Sequence, residues 1–177
     1  MVRLSREQAM RDVLTGIYNK AGEKLIDRMV KEKGQGLFLM LDLNDFKSIN
    51  DTMGHAAGDA ILTEMGRVLK GACRENDIVA RIGGDEFVMF LPGAFDWQTG
   101  KRKIGEIQDS LRTVMITTWG IRGIRASIGA ALCPEDGMDY ETLFKAADEA
   151  MYLDKEQSKN RNESREAGEE KQDRTIS

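Results

Sequence analysis

Two short stretches of this sequence bring oxygen-bearing side chains close together. Asp42, Asn44 and Asp45 close an apolar run, Leu37 to Leu43, and Gly83-Gly84-Asp85-Glu86 separates two further apolar runs. If Leu37–Leu43 is a strand, alternation puts Asp42 on the face of Phe38 and Met40. A carboxylate there is costly unless it is paired, hydrogen-bonded or bound to metal. Gly83 and Gly84 carry no side chains, so a ligand can approach the backbone closely. Hard oxygen ligands suit Mg²⁺, which takes one or two carboxylates together with substrate phosphates. On neighbouring strands, Asp42, Asp85 and Glu86 would meet as a metal–triphosphate site. Taken alone, an acidic hairpin is more often a solvated turn and Asp42 a strand-end cap, and composition leaves both readings open.

Helices and strands must position these groups. Ala21, Leu25, Ile26, Met29 and Val30 recur at helical spacing, and Gly34 and Gly36 end that segment. Leu37–Leu43 has strand length. Ile61, Leu62, Met65, Val68, Leu69 and Ala72 predict a helix beginning near Gly58-Asp59. Ile78–Ile82 and Phe87–Leu91 predict a β-hairpin, its turn needing glycine at positive φ. Ile104, Ile107, Leu111 and Val114 mark another helix. Ile124, Ala126, Ile128, Ala130 and Leu132 alternate as a half-buried strand does. Tyr140, Leu143, Phe144, Ala147 and Met151 form the last helical stripe. Strands alternating with helices predict an α/β (α+β) domain, and the hairpin makes its sheet mixed or antiparallel. Residues 1–11 read as the end of a linker, 12–160 as the domain, and 161–177 as a disordered polar tail.

Bulk properties exclude several classes. The 177 residues suit one domain, and a net charge of -4 gives no general basic footprint for nucleic acid. One histidine, His55, and two distant cysteines, Cys73 and Cys133, argue against a zinc site. The longest apolar run is too short for a bilayer, and Met1–Met10 is polar, unlike a signal peptide. A cytoplasmic protein with no membrane segment in this chain is expected.

Longer motifs narrow the function. Gly83-Gly84-Asp85-Glu86-Phe87 spells the signature of the GGDEF family. Asp12 to Lys20 resembles that family's opening motif, and Leu41 to Asp51 with Gly54-His55 and Gly58-Asp59 its central one. Ser127-Ile128-Gly129-Ala130 and Ala147 to Tyr152 are similar to its two late motifs. They occur in family order from Asp12 to about Asn160.

This resemblance implies a nucleotide-cyclase or polymerase-palm fold, a largely antiparallel central sheet surrounded by helices, and diguanylate cyclase activity. Two GTP would become cyclic di-GMP, with two Mg²⁺ per active site (Mn²⁺ an alternative), across a homodimer. Asp42, Asp85, Glu86 and the Leu43 carbonyl would hold metal, with Glu86 and Asp85 catalytic. Asn50 and Asp59 would read the guanine edge, where an amide and a carboxylate match its acceptor and donors. Taken singly, they are a turn residue and a helix N-cap. Phe46, Lys47, Gly83, Gly84, Lys155 and Lys159 complete the substrate site. Arg74 and Asp77 match the family's R-x-x-D inhibitory site for cyclic di-GMP; taken alone they are a cation near a helix end and a turn acid.

The sequence departs from the family at Lys20, where arginine is usual, at Asn44, where aspartate is common, and at Ser158-Lys159, where Gly-Arg is usual. Lysine keeps the charge but loses the bidentate fork. The competing expectation is a GGDEF module that binds GTP or cyclic di-GMP without turnover and signals through a partner; the intact signature loop favours the enzyme. A nucleic-acid polymerase or adenylate-type cyclase is disfavoured by the acidic charge and by Asn50 with Asp59. A sensor or regulatory domain in a longer parent protein is also expected.

Overall fold

The computed structural model describes the backbone of residues 2–173 and the side chains of residues 6–157. Helix α1 spans Val2–Ala9 and α2 Gly22–Lys33, where Gly34 takes φ 67° and returns its N–H to the Val30 carbonyl. This is the left-handed C-terminal stop expected of that glycine. Strand β1 (Gly36–Leu43) leads into α3 (Phe46–Met53) and α4 (His55–Gly71). Strands β2 (Ile78–Arg81) and β3 (Glu86–Pro92) form the expected hairpin. Helix α5 (Trp97–Arg112) is capped by the Asp96 carboxylate, which accepts from the Thr99 N–H at 2.7 Å. A two-stranded ribbon, β4 (Met115–Ile116) with β5 (Ile121–Arg122), precedes β6 (Ala126–Cys133) and α6 (Tyr140–Asp173).

The main sheet runs β2-β3-β1-β6, antiparallel at every pairing. An isolated bridge from Tyr18 to Ala80 adds a parallel contact. Helices cover both faces of the sheet. Leu37, Leu39 and Leu41 of β1 pack with Met65, Leu69, Ile107 and Leu111 of α4 and α5. Phe38 and Met40 pack with Ile26 and Val30 of α2 and Leu143 and Ala147 of α6. Burial on both faces explains why β1 reads as an unbroken apolar run rather than an alternating one. The α+β, palm-like expectation matches this architecture.

Close packing of α6 on β6 depends on Gly129. A Cβ there would collide with the Ala147 carbonyl and lie 2.8 Å from Met151. The small residues of Ser127-Ile128-Gly129 and Ala147 therefore seat α6 directly against the sheet.

Several local expectations need correction. Gly83 and Gly84 do not take positive φ. What Gly83 supplies is space, since a Cβ there would sit 3.0 Å from Glu86 Oε2. Asp59 is not a helix N-cap, because α4 begins at His55 and Asp59 lies inside it. Helix α3 and the β4–β5 ribbon were not predicted, being too short for periodicity to register. Helical backbone also extends over 161–173, where a disordered tail was expected. That stretch is polar, yet rich in Glu, Lys, Arg and Gln, and composition alone does not separate a solvated helix from coil. Residues 174–177 lie outside the described residues.

Candidate active site

The end of β1 gathers the predicted carboxylates. Asp42 stands opposite Glu86 of β3 on one side and Ser127 of β6 on the other. Just beyond this pair, the Leu43 N–H donates to the Asp85 carbonyl at 3.2 Å, fastening the hairpin turn to the β1 end. Burial pushes the Asp85 carboxyl above the usual range, and the Asp42 charge and a hydrogen bond to Asp42 push the same way. Like charges opposite one another in a sheet destabilise it. Such a group is uphill in free energy until a cation joins it.

One cation already does. The Lys155 ammonium of α6 donates to Asp42 Oδ2 in a half-buried ion pair. A cleft of about 750 Å³ runs from Asp42 and Glu86 along α6 past Asp148, Glu149, Tyr152 and Lys155. Among the described residues, no three His, Cys, Asp or Glu side chains form a ready metal cage. The donor set nonetheless fits a hard divalent cation: carboxylates only, crowded together, with an ammonium standing where positive charge is needed. Mg²⁺ characteristically binds such open carboxylate sites with substrate phosphates completing its shell.

Asn50 comes from α3 and Asp59 from α4, two helices that pack on each other. Asn50 packs against Gly58, where any Cβ would strike its Oδ1, and Asp59 is the next residue. The loop between Asp42 and this pair is strained at Asp45, whose φ of 58° is left-handed. Aspartate tolerates that region better than most residues. Phe46, at the first position of α3, is half-buried against the core, and Lys47 beside it is exposed.

A family model described as "Diguanylate cyclase, GGDEF domain" matches residues 9–161. The chain belongs to the GGDEF domain family. Diguanylate cyclase DgcS of Shewanella oneidensis is 32% identical over 160 residues, covering 86% of this chain and 52% of that protein. Diguanylate cyclase TpbB of Pseudomonas aeruginosa is 34% identical over 158 residues, 86% of this chain and 36% of that protein. The chain thus spans about half the length of these relatives or less. Among solved structures, the GGDEF domain of TpbB (also called YfiN) from Pseudomonas aeruginosa superposes with a TM-score of 0.76 at 34% identity, covering 83% and 89% of the two chains. The GGDEF domain of DgcB from Caulobacter crescentus, crystallised with c-di-GMP, superposes at 0.77 and 28% identity, covering 85% and 89%.

In this GGDEF domain the signature turn is held by a residue the sequence reading overlooked. Arg81 Nε donates to the Gly84 carbonyl at 3.0 Å, and its Nη1 donates to Asp12 Oδ1 at 3.1 Å. Asp12 also accepts from the Thr15 N–H at 2.9 Å and hydroxyl at 2.7 Å. Burial raises the Asp12 carboxyl, but Thr15 and Arg81 outweigh it and leave the group below its ordinary value. A cation two positions before an acidic glycine turn was the available signal. It was missed because Asp12 lies 69 residues away in sequence.

Arg74 and Asp77 close a small turn at the α4–β2 junction. The Arg74 N–H donates to Asp77 Oδ2 at 2.8 Å, and the Asp77 N–H donates to the Arg74 carbonyl at 3.1 Å. Asp77 thus acts as the turn acid the bland reading expected, yet a carboxylate keeps further acceptor sites. Both residues line a cavity of about 350 Å³ with Phe95, Thr99, Arg102 and Lys103. Lys103 is already engaged, donating to the Ala72 carbonyl at 2.6 Å. Lys159 lies on α6 with its side chain outside the described residues.

Proposed function

We propose that this GGDEF domain is a diguanylate cyclase, condensing two GTP into cyclic di-GMP and two pyrophosphates. The observation carrying this reading is the Asp42–Glu86 cross-strand pair with Asp85 turned against it, in a domain of this family. In each half-reaction a 3′-oxygen attacks the α-phosphorus of the other GTP in line. The bond to pyrophosphate breaks, and the 3′-proton is lost to solvent or base. Two divalent cations, Mg²⁺ or Mn²⁺, held by Asp42, Asp85, Glu86 and the Leu43 carbonyl, would supply charge stabilising the attacking oxygen and the departing pyrophosphate.

The chain's own residues bind and orient. Asn50 and Asp59 hydrogen-bond the guanine edge, so that a base with the opposite donor pattern leaves them unpaired. Phe46 fixes the start of α3, and Gly83 and Gly84 leave room for phosphates beside the turn. Lys47, Lys155 and Lys159 meet phosphate oxygens. Lys155 leaves Asp42 for the phosphates as the site fills, which keeps the carboxylate neutralised before binding and available afterwards. The reaction is then largely a matter of positioning and electrostatics.

One guanine site per domain and two guanylate units per product require two domains face to face, so the active species is a homodimer. Product binding at Arg74 and Asp77 supplies feedback; support for it is their shared cavity and its excess of cations. Cytoplasmic placement and a regulatory domain in a longer parent protein belong to the same reading. No described helix is long and apolar enough to cross a membrane. Incubating the purified chain with GTP and Mg²⁺, then resolving products by chromatography, tests the proposal. Cyclic di-GMP is expected, whereas bound but unconverted GTP would identify a binding module instead.

A further inference from the structure

On the sheet face opposite the Asp42 side chain, the C-terminal end of α5 meets the β4–β5 ribbon and the start of β6. A cavity of about 460 Å³ opens there, lined by Arg112, Arg122, Arg125, Gln108 and Asn44 among others. No acidic residue lines it. Arg112 pairs with Asp109 at 2.7 Å through an exposed bridge. Arg122 and Arg125 have no carboxylate partner among the described residues. Three guanidiniums against one carboxylate leave two positive charges uncompensated, in a chain whose net charge is -4.

A helix C-terminus attracts cations, but its partial charge is only about half an elementary charge. Three of the last four α5 carbonyls are moreover already served: Asp109 accepts from the Thr113 N–H at 3.3 Å, Ser110 from the Thr113 hydroxyl at 2.8 Å and Leu111 from the Ile124 N–H at 2.8 Å. The arginines are therefore not needed as caps. Guanidinium forks suit phosphate oxygens, which they bind in pairs of parallel hydrogen bonds. Gln108 and Asn44 add amides that could orient the rest of a ligand.

We propose that Arg112, Arg122 and Arg125 form an anion site for the phosphate group of a small molecule, separate from the GTP site. Its floor touches the catalytic strand through backbone. The Asn44 N–H donates to the Arg125 carbonyl at 2.9 Å, and Asn44 Oδ1 accepts from Ser127 Oγ at 2.7 Å.

The test is a titration of the full chain, at low ionic strength and without divalent metal, with inorganic phosphate in one arm and a hexaglutamate peptide in the other. Backbone amide shifts report which residues respond. Phosphate should perturb Gln108 and residues 122–126 saturably, and the R122Q/R125Q double variant should weaken that response about tenfold or more. K155Q, at the carboxylate cleft, should leave it unchanged. Equal response in R122Q/R125Q, loss of the response in K155Q, non-saturable shifts, or tighter binding of the peptide than of phosphate would each overturn the proposal. A thermal melt of R122Q/R125Q matching that of the unsubstituted chain is the control that makes a lost response report the site.

Discussion

Lys155 on α6 and Asp42 on β1 are 113 residues apart in sequence, yet their ammonium and carboxylate are hydrogen-bonded at the mouth of the acidic cleft. The pair exists because Gly129 lets α6 lie close on β6. Lys155→Met should therefore leave Asp42, Asp85 and Glu86 without their cation. The metal-free protein should lose stability by up to about 1 kcal/mol, the scale of a partly exposed pair, and Mg²⁺ should stabilise the variant more than wild type. Thermal melts with and without Mg²⁺ check this; equal metal-induced shifts would show that Lys155 does not stand in for a cation.

The Arg81 clasp should matter for the signature turn. Arg81→Met removes hydrogen bonds to Gly84 and Asp12 and should cost roughly 1.5–3 kcal/mol, the range for hydrogen bonds to charged groups. Asp12→Asn should cost less than Arg81→Met, because Arg81 keeps Gly84. The pH dependence has a definite sign. The folded-state Asp12 carboxyl lies below its ordinary value, so its contribution is present above the unfolded pKa of about 3.9 and lost as pH falls through the folded value. The stability gap between wild type and Asp12→Asn, by denaturant melts, should narrow between about pH 6 and about pH 3. A gap that widened on acidification would contradict this.

Base selection is expected to depend on a glycine with no polar group of its own. Gly58→Ala would drive a Cβ into Asn50 Oδ1 and displace that amide from its place against α4. The variant should fold, since the clash is with a side chain, but its preference for GTP over ATP should fall by about tenfold or more. Competition binding with the two nucleotides measures it; an unchanged ratio would remove Asn50 from guanine recognition.

Much of this was legible in the sequence. The placing of Asp42 on the face of Phe38 and Met40 follows from alternation, the hairpin from turn spacing and the Gly34 stop from helix-end chemistry. The meeting of Asp42 with Glu86 also needed β1 and β3 to be neighbours, which the fold supplies. What escaped was set by contacts remote in sequence or by elements too short for a period. Arg81 finds Asp12 only once the chain is folded, and α3 has eight residues. Asp45 at positive φ carries no sequence mark beyond being an aspartate. The glycine turn was misread because Gly-Gly suggested positive φ, whereas Gly83 is there to make room for Glu86.

Feedback at the α4–β2 junction is testable without touching the acidic cleft. Arg74→Ala keeps Asp77's backbone contact in place, since that bond uses the Arg74 N–H. Calorimetry with cyclic di-GMP should show at least about tenfold weaker binding for the variant, and initial rates should resist added product. Equal binding and equal inhibition in both proteins would make the motif an ordinary surface turn.

The central claim is that the carboxylates at the β1–β3 end convert GTP to cyclic di-GMP, and Glu86→Gln tests it most directly. The substitution keeps size and turn geometry while removing one charge from the Asp42–Glu86 pair. Initial rates of cyclic di-GMP formation from GTP and Mg²⁺ should fall at least about a hundredfold, several kcal/mol in the transition state, while the melting temperature holds or rises as like-charge repulsion is relieved. Near wild-type turnover by Glu86→Gln, or no cyclic di-GMP from the unsubstituted chain under conditions that support a homodimer, would contradict the account.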